Sequence, residues 1–128
     1  NGEELFHWFM LQSGEIKGYT KAIWSGVTTL VLSKVVMWAI EDKITGLYHV
    51  TNNKSIDKFS LLNLIKKYTK KDILIHPCDE KIIYKNFVDT RKELNFKIPS
   101  YEKMIKEMVN AILKDKINYK QYLYYLKY

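Results

Sequence analysis

A chain of 128 residues with 47% apolar and 14% aromatic content is sized for one domain with a core of its own. Its formal charge of +7 points toward anionic partners, yet twenty of the 21 basic residues are lysine and Arg91 is the single arginine. The bidentate fork used on bases and phosphates is therefore nearly absent, and nucleic acid is not the expected partner.

In chain order, Leu5, Phe6, Trp8, Phe9 and Leu11 give a broad apolar face and predict a helix over 3–13, with Gly14 in the C′ position. Glu3 and Glu4 stand where a signal peptide would be basic, so none is expected. Ile16 to Tyr19 reads as a short strand. The run Ala22-Ile23-Trp24-Ser25-Gly26-Val27-Thr28-Thr29 then packs a strand end, a glycine turn and a threonine cap into eight residues. The helix it starts, to about Asp42, is apolar nearly all round, which predicts burial on several sides. No membrane span is expected, because Thr28, Thr29, Ser33 and Lys34 interrupt the longest apolar candidate, Val27 to Ile40.

Gly46 to Thr51 alternates and reads as a strand. Asp57 follows as an N-cap, with Ile56 and Leu61 in the places of a hydrophobic staple. Phe59, Leu62, Ile65 and Tyr68 form that helix's inner stripe, and Lys66, Lys67, Lys70 and Lys71 crowd its end, where cations favour the helix dipole. Asp72 to His76 reads as a strand stopped by Pro77. Residues 79–98 read as mostly irregular, with one helical turn at Thr90 to Leu94. Ser100 caps the last clear helix, whose Tyr101, Met104, Ile105, Met108, Val109 and Ile112 keep helical spacing. The tail from Asn118 adds a short amphipathic helix through Tyr119, Tyr122, Leu123 and Leu126. Helices alternating with short strands imply an α/β or α+β fold whose sheet is too small for a self-sufficient doubly wound domain.

The five glycines form no dinucleotide fingerprint and no phosphate loop, and none of the ten tyrosines has a lysine four residues on. No serine elbow or zinc-protease helix occurs either. His76, Cys78 and Asp79 are of metal-ligating type, but they lack a second cluster, and the plainer reading is a strand-end turn. A single cysteine excludes an intrachain disulfide framework and suits a reducing, cytoplasmic setting. Trp24 beside Gly26 offers a flat face for a base or sugar ring, or else pins the strand to the following helix. Arg91 can clamp a diphosphate or carboxylate, or pair with Asp89 or Glu93 at the surface.

Four segments in this order carry a resemblance: IWSGVTTLVLSKVV, GLYHVTNNKSIDKFSLLNLIKKY, FVDTRKELNFKIPSYEKMIKEM and, before them, the Phe- and Trp-rich first helix. Together they resemble the C-terminal, substrate-binding part of the dTDP-4-dehydrorhamnose reductase group, which are extended short-chain dehydrogenases acting on nucleotide sugars. The matching features are Gly26-Val27-Thr28 before the apolar helix, Gly46 to His49, the capped helix from Asp57, Val88 to Lys92, and Pro99 to Tyr101. The resemblance covers roughly residues 4–113.

It implies a substrate-binding domain over 1–113, with 114–128 as a Tyr-rich amphipathic tail. It also implies an NAD or NADP cofactor held by an N-terminal Rossmann half of the parent, none being bound by this chain, and a nucleotide sugar of the dTDP class gripped between the halves. No catalytic residue is expected here; Trp24, Gly26, Thr28, Lys85 and Arg91 are the expected substrate-binding set. The family's Arg-Pro pair before the Asp-Thr turn is replaced by Lys81-Ile82-Ile83-Tyr84-Lys85; Lys85, Lys81 or Arg91 can supply that charge, though none matches the position. An epimerase and a sugar-nucleotide-binding relative fit the same resemblance, and a homo-oligomer is compatible with it. A reading from another class is a free-standing basic module that binds nucleic acid or protein through its lysines.

Overall fold

The computed structural model describes residues 4–90 and 96–126. It is a mixed α/β fold in the order α1 (Leu5–Leu11), β1 (Glu15–Tyr19), β2 (Ala22–Trp24), α2 (Thr29–Glu41), β3 (Ile56–Asp57), α3 (Lys58–Thr69), β4 (Leu74–Cys78), β5 (Ile83–Lys85), α4 (Tyr101–Lys114) and α5 (Lys120–Leu123). Two small sheets form. In one, β1 runs parallel to β4, with Glu15 opposite Leu74 and Tyr19 opposite Cys78. In the other, β2 lies between β3, antiparallel to it, and β5, parallel to it.

Helix α3 is the hub, packing against β1, β4 and α4. Its start is written in Asp57, whose carboxylate accepts from the Ser60 amide at 2.8 Å and from the Ser60 hydroxyl at 2.6 Å. Leu61, Leu62 and Ile65 join Phe9, Met10, Ile73, Ile75, Ile105, Val109, Ile112 and Leu126 in the main core. A smaller core gathers Val31, Val35, Tyr101 and Met104, and Trp24, Ile56 and Leu64 border both. Gly18 on β1 permits the close approach of α3, since a Cβ there would lie 2.8 Å from the Phe59 ring and 2.9 Å from Ile75.

The structure corrects several expectations. Gly46 to Thr51 forms no strand: it pairs with neither sheet, and both flanks of β2 are taken by β3 and β5. The alternation was real in another sense: Tyr48 and Val50 are partly buried while Leu47 and His49 are exposed. Strand β4 does not stop before Pro77 but runs through it. Leu74 N–H and Cys78 C=O both bond toward β1, so residues of that parity face the partner and the Pro77 nitrogen points to the open edge, where no N–H is needed. Residues 79–98 contain β5, which sequence reading missed; of the helical turn expected there, Thr90 is irregular and Arg91 to Leu94 lie outside the described residues. Gly14 is not the C′ residue. Helix α1 ends at Leu11 with Gln12 extended, and Gly14, at φ 70°, turns the chain into β1.

Helix α2 is not buried on several sides. Only Val31 and Val35 are buried, while Leu32, Val36, Met37 and Ile40 are 42%, 48%, 55% and 66% exposed.

Candidate functional site

Strand β2 ends at Trp24, and the chain turns at Gly26 into α2. The indole folds back over the turn: a Cβ on Gly26 would fall 2.2 Å from a Trp24 ring carbon, so only glycine leaves the ring where it is. On its other side the indole meets Tyr101, with ring centroids 6.2 Å apart. The Tyr101 hydroxyl donates to Lys54 C=O at 2.5 Å. Burial raises the pKa of this phenol above its ordinary value, against the opposing pull of the Gly26 backbone amide. Thr28 caps α2, its hydroxyl oxygen accepting from the Val31 amide at 3.3 Å.

Around this turn lies a cavity of about 430 Å³. Its floor is apolar, made by Leu5 and Phe6 of α1, Leu61 and Ile65 of α3, and Met104, Ile105 and Met108 of α4. Its rim is polar: Thr28 and Thr29 at the start of α2, Lys58, Lys85 and Glu4. The start of α2, with the positive end of its dipole, and the side chains of Lys58 and Lys85 bring positive character to this lining, set against the carboxylate of Glu4. The remaining apolar wall, with the Trp24 ring, suits a flat or hydrophobic body.

Of the expected site residues, Trp24, Gly26, Thr28 and Lys85 all line this one cavity. Strand β5 brings Lys85 there by pairing beside Trp24. Arg91 lies outside the described residues. Lys81 points elsewhere, its ammonium 4.8 Å from the centre of the Tyr19 ring. Sequence reading missed Lys58 and the cavity role of Tyr101, Met104 and Met108. Their helical spacing was visible, but spacing marks an apolar face without saying whether core or open space lies against it.

His76 and Cys78 each meet a carboxylate: His76 Nε2 lies 2.9 Å from Glu15, and the Cys78 thiol hydrogen-bonds Glu80. Among the described residues no group of three or more His, Cys, Asp or Glu could hold a metal. Nor is any helix among them long and apolar enough to cross a membrane. A second depression, of about 610 Å³, runs between α2 and residues 44–53 and includes none of the expected residues.

This architecture recurs in solved proteins. The dTDP-4-dehydrorhamnose reductase of Bacillus anthracis, solved in complex with NADP, superposes with a TM-score of 0.74 at 20% identity, over 87% of this chain and 44% of that one. The chain has the fold of part of these reductases. A second such reductase, from Clostridium acetobutylicum, gives a TM-score of 0.72 at 18% identity over 88% and 45% of the two chains. A third, from Yersinia enterocolitica, gives 0.67 at 18% identity over 84% and 43%. The present chain thus spans less than half the length of the solved reductases it matches. No family model and no curated protein matches it.

Proposed function

We propose that this chain is the substrate-binding part of an NAD(P)-dependent nucleotide-sugar reductase, reducing a 4-keto sugar by hydride transfer once joined to a cofactor-binding Rossmann half. The observation that carries the reading is the convergence of Trp24, Gly26, Thr28 and Lys85 on one cavity whose lining is mostly apolar and includes two lysines and one glutamate. In this reading the helix start, Lys58 and Lys85 take the diphosphate, with Arg91 as a further candidate cation. Trp24 stacks on a ring of the ligand. The chain supplies recognition alone: it carries no glycine-rich cofactor loop and no Tyr/Lys proton relay.

Two further observations support it. The fold is shared with reductases more than twice as long, one of them solved with NADP. The uncovered apolar flank of α2, through Leu32, Val36, Met37 and Ile40, is surface of the kind that a second half would bury.

Calorimetric titration with dTDP tests this. Weak saturable binding is expected, because half the pocket walls are absent, and it is expected to fall at least about tenfold in Lys85→Ala and Trp24→Ala, the loss of one good contact. Oxidation of NADPH by the 128 residues alone would contradict the assignment of the chain as a recognition part.

A further inference from the structure

Helix α1 is seven residues long and has no side-chain N-cap, too short to persist without help from its surroundings. Yet Phe9 and Met10 on it are fully buried, and its Leu5 and Phe6 make one wall of the cavity. Besides the core packing of Phe9 and Met10, two side-chain contacts from outside the helix bear on it, and both lead to the C-terminal segment.

At the end of α1, the Met10 carbonyl has no partner within the helix. It accepts from the ammonium of Lys71, at 2.7 Å. Lys71 is only 8% exposed, and the Tyr125 ring closes over its ammonium at 4.9 Å from the ring centre. Along the flank of α1, Tyr122 meets Phe6 edge to face at 5.3 Å between centroids, and its hydroxyl lies 3.1 Å from His7 Nδ1. Leu126, 7% exposed, anchors the far end of the segment in the same core as Phe9 and Met10. Phe6 is therefore shared: it touches Tyr122 and lines the cavity.

We propose that Tyr119–Leu126 is a strap that fixes α1, and through Phe6 the wall of the cavity, with Lys71 and Tyr122 as positioning residues. Neither residue lines the cavity, so each acts on it through α1. The effect on ligand binding rests on the reading of the cavity as the nucleotide-sugar site; the strap itself does not.

Hydrogen–deuterium exchange on the full chain tests the strap, comparing the unmodified protein with Lys71→Met, Tyr122→Ala and the milder Tyr122→Phe. The first two are expected to raise exchange across Leu5–Leu11 by at least about tenfold while α3 and α4 keep their protection. Tyr122→Phe, which keeps the ring and loses only the hydroxyl, should raise it less and in the same place. In a Trp8→Phe/Trp38→Phe background, where Trp24 is the sole indole, acrylamide quenching should increase in Lys71→Met. Unchanged exchange in α1 overturns the proposal, as does a rise spread equally over α1, α3 and α4, which would make Lys71 and Tyr122 core residues only. With dTDP as probe, Lys71→Met should also weaken binding several-fold. Should the unmodified chain not bind dTDP at all, the cavity's assignment falls while the exchange data still decide the strap.

Discussion

Helices α2 and α3 are nearly equal in length, and the more apolar of the two is the less buried. Over Thr29–Glu41, α2 buries Val31 and Val35; over Lys58–Thr69, α3 buries Leu61, Leu62, Ile65 and Thr69 although it carries four lysine or asparagine residues. The difference lies in what arrives at each helix. Strands β1 and β4 and helix α4 close around one face of α3, and none of its lysines is buried; Lys67 pairs with Glu102 at 2.6 Å. On α2 only the side toward Tyr101 and Met104 is met, and the opposite apolar side stays open. Apolar content marks surface that gains from cover. Whether cover comes depends on topology.

Substitutions can break that comparison. Leu62→Ala in α3 is expected to cost about 2–5 kcal/mol, by lost transfer energy and a residual cavity, whereas Ile40→Ser on the open flank of α2 should stay within about 0.5 kcal/mol. Urea denaturation of the two variants measures both, and equal losses would mean that the α2 flank is covered in solution. The caps offer a finer contrast. Asp57→Ala removes two hydrogen bonds at the start of the hub and should cost about 1–2 kcal/mol. Thr28→Ala removes a single longer one and should cost about 0.5–1 kcal/mol, read by the same denaturation curves.

The smallest effect concerns pH. The Glu102 carboxyl is held below its ordinary pKa by hydrogen bonds from Lys67 and Tyr68 and by the charge of Lys67. A depressed carboxyl stabilises the fold above its unfolded pKa and loses that contribution as pH falls through the folded value. Both side chains are more than half exposed, so solvent screens the pair and Glu102→Gln should only flatten the acid side of the thermal-stability profile slightly. A shift of the alkaline side alone would show that the carboxylate is not the group responsible.

Local signals were legible. Asp57 and Ser100 cap α3 and α4 as their side-chain chemistry and spacing foretold, Thr28 proves to be the expected threonine cap of α2, and the stripe Tyr101, Met104, Ile105, Val109 and Ile112 faces inward. What failed was pairing. Gly46 to Thr51 has the alternation of a strand but pairs with none, while Ile83–Lys85 is a strand because it pairs beside β2. Pairing partners come from distant parts of the chain, and no window of sequence contains them. The site follows the same division. Trp24, Gly26 and Thr28 were legible because one tight turn must accommodate an indole, a glycine and a cap. Lys58 and Tyr101 were not, since their place on the cavity is set by how α3 and α4 pack. The role of Lys71 was also hidden: among four clustered lysines, nothing local distinguishes the one that reaches the Met10 carbonyl.

In the proposed function, the turn from β2 into α2 forms one wall of a recognition site. Two-dimensional ¹H–¹⁵N spectra recorded while dTDP is added test it most directly. Progressive, saturable shifts of the Trp24 indole and of the Gly26, Thr28 and Thr29 amides are expected, with α5 and β4 unmoved. Shifts centred instead on the lysines at the end of α3, Lys66, Lys67 and Lys70, fading as salt is raised, would contradict it and mark the chain as a basic surface that takes anions without a built site.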